Sequence, residues 1–195
     1  MVVDTQAAQS QIRRIAVQRD VAAHRMAGHV QFVRDLRGVE KVHLLGWSLG
    51  ATLEAPLYTI KHSDKVAKLV LYAGNYLGWG RSKEDVAKRV DSYHGAKYVL
   101  GNPASVERWA GLGTKAELVE PSIFAAYRTA HRASDPMSGE LAGAVRAPRG
   151  RHVDLELKEP HFDAGKITVP TLVIRGEFDT FAKRDDNKKL FDSLG

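Results

Sequence analysis

A short apolar run, Val42-His43-Leu44-Leu45, leads straight into Gly46-Trp47-Ser48-Leu49-Gly50, and helix-like sequence follows. No other feature of the 195 residues restricts the fold as much. A chain that leaves a strand and enters a helix within a few residues must turn sharply. Bulky side chains at either flank of such a turn collide with adjacent elements, and glycines at 46 and 50 remove that collision. The turn exposes the Ser48 hydroxyl and aims the backbone N–H of Leu49 away from the strand. Taken alone, the five residues also describe a Gly-rich strand-to-helix turn that binds nothing, so the reading depends on context.

That context lies downstream. Val66-Ala67-Lys68-Leu69-Val70-Leu71-Tyr72-Ala73 reads as the next parallel strand. Farther on comes Ile167-Thr168-Val169-Pro170-Thr171-Leu172-Val173-Ile174-Arg175-Gly176-Glu177-Phe178-Asp179. Pro170 opens a strand, where its missing N–H is tolerated. The uncharged Thr171–Ile174 run has the composition of a parallel strand buried on both faces. Gly176 closes it, and an acid follows.

The order strand, Gly-x-Ser-x-Gly, helix, strand, long insertion, strand, acid resembles the α/β-hydrolase fold from its central strand onward. The resemblance covers roughly residues 20 to 80 and 160 to 195, a little over half of the chain. It implies an α/β fold, a partial α/β-hydrolase: a parallel sheet with flanking helices and a helical lid insertion. It also implies a serine hydrolase, esterase-like, that acts on a carboxylic ester or related acyl substrate. Ser48 would be the nucleophile, Asp179 the acid that orients a catalytic histidine, and Leu49 N–H half of the oxyanion hole. A solvated loop carboxylate is the plainer reading of Asp179. Glu177 precedes the position where the family places its acid, and Gly74-Asn75-Tyr76 offers no carboxylate after the earlier strand. Trp47, inside the motif, is expected beside the reacting centre as part of the substrate pocket. The chemistry needs no cofactor and no metal.

The sequence also departs from the family pattern. The family's order is serine, acid, histidine, yet all eight histidines (His24, His29, His43, His62, His94, His131, His152 and His161) precede Asp179. The early strands and a His-Gly oxyanion motif are missing before the central strand. Three readings follow. The first is an incomplete chain that lacks the early strands and the C-terminal histidine loop. The second is a degenerate hydrolase-like protein kept for binding. The third is a triad completed by His161 or His152, both of which read ordinarily as surface imidazoles.

Composition bounds the alternatives. With 44% hydrophobic residues the chain can bury one sizeable core, and a single domain over 1–195 is expected, with core segments 11–75 and 161–195 and a lid at 76–160. The absence of cysteine excludes disulfides and thiolate metal sites. Met1-Val2-Val3-Asp4-Thr5 has neither a basic n-region nor a long apolar stretch, so a cytoplasmic protein without a membrane segment is expected. The net charge is +6, with arginines concentrated between Arg13 and Arg37. No nucleic-acid-binding pattern accompanies them, and a solvated helix face accounts for them without nucleic acid. An unfinished sheet would expose edges and an apolar face, so self-association is expected.

Local signals complete the outline. Residues 11 to 37 carry Ala23, Met26, Val30 and Val33 at helical spacing, with Gly38 as a stop. Ala51, Leu53, Ala55, Leu57 and Ile60 form the packing face of the helix after Ser48, in which Pro56 sits awkwardly. Within 76–160, Ser82 and Asp85 make a capping-box-like start to a helix through Val90. Pro121 opens another helix, with Ile123, Phe124 and Tyr127 on one face. Trp79 and Trp109 are candidates for an acyl pocket or for lid packing, and residues 133 to 152 read as loop. The final helix, Arg184 to Leu194, is expected to turn Leu190, Phe191 and Leu194 inward.

Overall fold

The computed structural model describes residues 26–78, 82, 85, 98–101, 120–148, 155 and 160–195. In chain order the elements are α1 (residues 26–37), β1 (Val42–Trp47), α2 (Ala55–Lys61), β2 (Val66–Tyr72), β3 (Tyr98–Gly101), α3 (Pro121–Ala133), β4 (Val145–Pro148), β5 (Thr171–Ile174) and α4 (Arg184–Asp192). The chain divides into two compact units: Met1–Ser92 together with Val153–Gly195, and Tyr93–His152. The expectations for residues 11–25, Trp79, Trp109, His152 and the helix through Val90 lie outside the described residues. Of that helix start, Asp85 N–H donates to Ser82 Oγ at 3.1 Å.

The first unit is built on a parallel sheet of order β1-β2-β5. One face carries the core. Leu69 and Leu71 of β2 pack with Ala51, Ala55, Tyr76, Phe162, Ile167 and Leu190, while Val30 of α1 meets Tyr58 and Val66. The predicted packing face of the helix after Ser48 is the observed one: Ala51, Leu53 and Ala55 are buried, and Leu57 and Ile60 pack against the core. Gly38, at φ +61°, ends α1 as a left-handed cap.

Among the described residues, the other face is exposed. Register places Leu45, Val70 and Leu172 in one row and Trp47, Tyr72 and Ile174 in the next. Leu45 is 61% exposed, Trp47 66% and Leu172 55%. The strand expected to be buried on both faces is therefore covered on one only. Alternation along a strand sends every second side chain to the opposite face, and an uncharged run reads the same whether that face is covered or not.

Pro56 is accommodated by a change of helix type. Residues Gly50–Glu54 form a π-helical turn, and α2 restarts at Ala55 with Pro56 in its first turn. There a missing N–H leaves no ladder bond unmade. At the far end of the unit, Leu190 is buried and Leu194 packs on the core, but Phe191 is 63% exposed. One residue along a helix rotates the side chain by about 100°, which carries Phe191 off the stripe that Leu190 occupies.

The second unit pairs β3 with β4 antiparallel and holds α3. The strand β4 falls within residues read as loop, and the strand pair adds to the helices expected of the insertion. Asp135 organises this unit. Its carboxylate accepts Nε and Nη2 of Arg146, the shortest contact being 2.7 Å, and also the backbone N–H groups of Arg146 and Met137. The Arg146 guanidinium stands 5.6 Å from the Tyr98 ring centroid. Those contacts hold the Asp135 carboxyl well below the usual carboxylate range, chiefly through its side-chain bonds to Arg146.

Candidate active site

The turn after β1 has the strain that the sequence motif requires. Ser48 sits at φ +54°, in the left-handed region that a residue with a Cβ rarely occupies. Hydrogen bonds on both sides keep it there. Its N–H donates to Tyr72 O at 2.9 Å, and its carbonyl accepts Ala51 N, Thr52 N and Thr52 Oγ1, each at 3.0 Å. A residue so over-determined holds a conformation that costs about 1–3 kcal/mol. The side chain is exposed at the C-terminal end of the strand. Leu49 follows with helical backbone angles, so its N–H belongs to the first turn, where helix donors have no intrahelical partner.

The two motif glycines differ. A Cβ on Gly46 would lie 2.6 Å from Gly50 O and 2.8 Å from both Ala51 N and Ala55 Cβ, so close approach demands glycine there. A Cβ on Gly50 would meet nothing within 4 Å. The expected crowding holds for the first flank only.

Asp179 closes the turn after β5. Its Oδ1 accepts the N–H groups of Phe181 and Ala182 at 2.8 and 2.9 Å, and its own N–H donates to Gly176 O. Arg175 staples the same turn, with Nε on Ala182 O and Nη2 on the carbonyls of Glu177 and Asp179. Asp179 is half-buried, and among the described residues none of its hydrogen bonds goes to a histidine. His161 is buried to 1% exposure, and its backbone N–H donates to Tyr76 O at 3.0 Å. Trp47 projects from the bare face, opposite the face that Gly46 turns toward α2.

Sequence reasoning missed what joins these parts. The segment after β2 passes between the serine turn and α4, and tertiary partners bind its backbone one group after another. Gly74 O accepts Asn187 Nδ2 at 3.1 Å, and Asn75 N–H donates to Thr52 Oγ1 at 3.0 Å. The N–H groups of Tyr76 and Leu77 donate to the two oxygens of Asp186 at 2.7 and 2.8 Å. Gly74 packs directly on Ala51, with no room for a Cβ, and Ala73 just before it is left-handed at φ +53°. A continuous belt thus runs from the Ser48 carbonyl through Thr52, residues 74–77 and α4. One signal for it existed: Asn187 lies three residues before Leu190, so a polar side chain interrupts the inward stripe of α4. Between residues 75–78 and 180–189 opens a cavity of about 620 Å³. Asn75, Leu77, Phe181 and Lys183 are among the residues that line it, beside the Asp179 turn at one end.

No protein-family model matches the chain. Solved structures do. An enol-lactonase from Burkholderia xenovorans LB400 superposes with a TM-score of 0.55 at 18% identity, covering 89% of this chain and 61% of its own. An esterase from Exiguobacterium antarcticum gives 0.52 at 17% identity, covering 89% and 62%. The thioesterase domain of the curacin biosynthetic pathway gives 0.52 at 18% identity, covering 84% and 61%. The chain therefore spans about three-fifths of the length of these structures. The arrangement they share with it is the α/β-hydrolase fold, present here in part as a parallel sheet with flanking helices.

Proposed function

We propose that this chain carries the nucleophile and acid of a serine hydrolase acting on a carboxylic ester or related acyl substrate. Ser48 Oγ would attack the acyl carbonyl, passing its proton to an imidazole. Asp179 would hold that imidazole in the tautomer that accepts the proton, and Leu49 N–H would donate to the oxyanion as it forms. Water would then release the acyl group. The supporting observation is the left-handed Ser48, pinned by four hydrogen bonds between a parallel strand and a helix. Strain of this kind clusters at functional sites. The hydrolase-fold neighbours include an esterase, a thioesterase domain and a lactonase, which agrees with acyl transfer to water as the reaction class. Trp47 enters the proposal as the chain neighbour of Ser48, with an indole two-thirds exposed.

A second reading, a hydrolase-like binding protein, draws support from Asp179. Its bonded oxygen serves the backbone of residues 181 and 182. One experiment separates the two. An alkyl fluorophosphonate should label the protein at Ser48, detected by mass spectrometry of the labelled peptide, and Ser48→Ala should abolish the label. Hydrolysis of p-nitrophenyl acetate should disappear with it. An unlabelled wild type would show that Ser48 is not activated in this chain, as the binding and incomplete-chain readings both expect.

A further inference from the structure

Residues 74–77 form a loop, and loops ordinarily move. This one is held by side chains that are expensive to commit. Thr52 is 2% exposed and Asn187 6%, and Asp186 gives both carboxylate oxygens to two consecutive N–H groups. Thr52 Oγ1 also donates to the Ser48 carbonyl, so the same hydroxyl fixes the nucleophile turn and Asn75. Only the backbone of the loop is gripped. The half-buried Asn75 carboxamide lines the 620 Å³ cavity, and among the described residues it has no hydrogen-bond partner. A loop backbone held by buried neighbours fixes where Asn75 stands, as a recognition site needs. Around it the lining is apolar at Leu77 and Phe181 and mixed in charge, with Lys183, Arg184 and Lys189 beside Asp185 and Asp186.

We propose that Asn75 is a specificity-determining residue, and that the cavity receives an acyl chain bearing a second oxygen function, which accepts a hydrogen bond from Asn75 Nδ2. The proposal rests on the hydrolase reading for the word acyl, but the binding it asserts does not need the nucleophile. A plain alkyl chain would fill the same space and leave the carboxamide desolvated without a partner. A site built to hydrogen-bond its ligand rejects an analogue lacking the polar group far more strongly than an apolar pocket rejects a missing methylene.

The test measures binding in the full chain carrying Ser48→Ala, so that no ester is consumed. Methyl 4-oxopentanoate, monomethyl butanedioate and methyl pentanoate are titrated with amide NMR shifts as the readout. The keto ester should bind about tenfold more tightly than the alkyl ester, the difference expected for one well-made hydrogen bond. Adding Asn75→Leu should bring the ratio to about one while changing the alkyl ester's Kd by less than twofold. Asn75→Ala, which needs no extra room, replaces it if the leucine variant loses its fold. Equal affinities in the parent protein, or a preference that survives both substitutions, would overturn the proposal. The butanedioate arm separates an anionic from a neutral oxygen: additional tightening that Lys183→Met removes assigns the charge to Lys183. Fluorophosphonate labelling of the wild type reports separately on Ser48, so loss of the hydrolase reading and loss of this one give different results.

Discussion

Gly46 and Gly50 bracket the same serine, yet replacing each by alanine should move stability in opposite directions. At Gly46 the added methyl would meet a carbonyl oxygen at 2.6 Å, a backbone nitrogen at 2.8 Å and the Ala55 methyl at 2.8 Å. None of these is the far end of a flexible side chain, so either β1 or the helix start must shift. Overpacking of this kind costs about 3 kcal/mol or somewhat more. At Gly50 the methyl meets nothing, φ is not positive, and the residue opens a helical turn. Alanine there should gain about 0.5–1 kcal/mol by lowering the entropy lost on folding. The two variants should differ by about 3.5 kcal/mol, a roughly 300-fold difference in the folding equilibrium. For a chain of this size that is on the order of 10 °C in Tm. Urea titration followed by far-UV circular dichroism, with the slope checked for constancy, measures both. Equal destabilisation by the two substitutions would refute the reasoning, because the cost would then lie in the turn and not in the space behind Gly46.

Tyr58 is fully buried, and its hydroxyl lacks a hydrogen-bond partner among the described residues, while burial raises its pKa. Tyr58→Phe should therefore stabilise the protein by about 1 kcal/mol in the same urea assay; destabilisation would mean the hydroxyl is satisfied. Because the folded Asp135 carboxyl titrates below its unfolded value, its contribution is present above about pH 4 and is lost only as pH falls through the lower, folded value. NMR signals of β3 and β4 should persist well below pH 4 in the wild type and become independent of this acid step in Asp135→Asn. On the bare sheet face, Leu45→Glu with Leu172→Lys should change stability by less than about 0.5 kcal/mol, as exposed positions do. The same pair should reduce any self-association seen by light scattering; unchanged association would place the contact elsewhere.

The legible parts of the molecule were those in which chemistry is local in sequence. A strand ending in Gly-x-Ser-x-Gly announces its turn because the strain and its relief both lie within five residues. The packing face after Ser48 followed from helical spacing, and Pro170 and Gly176 bracketed β5. The belt through residues 74–77 was not legible, since Asp186 meets Tyr76 and Leu77 only after the whole insertion has intervened. Glycine at 74 is needed for contact with Ala51, and nothing nearby in sequence says so. An exposed apolar face was expected of an unfinished sheet, but the Thr171–Ile174 run was read as buried on both faces because exposure depends on what covers a strand, not on the strand's composition. Phe191 shows the limit of counting: one residue beyond Leu190 is a different side of the helix.

Leu77 and Pro160 meet in an isolated antiparallel bridge, so two residues far apart in the sequence are tied together. A segment tied at its neck is elastic with respect to length. Doubling a flexible loop between fixed ends adds only about 0.6 kcal/mol of closure entropy. The neck thus behaves as a socket. Whatever is inserted there can be lengthened, shortened or exchanged while the strands, the serine turn and the acid turn keep their register. An evolving lineage can vary that segment at little cost to the strand register and the two turns, and a protein engineer can make the cut between the same two residues.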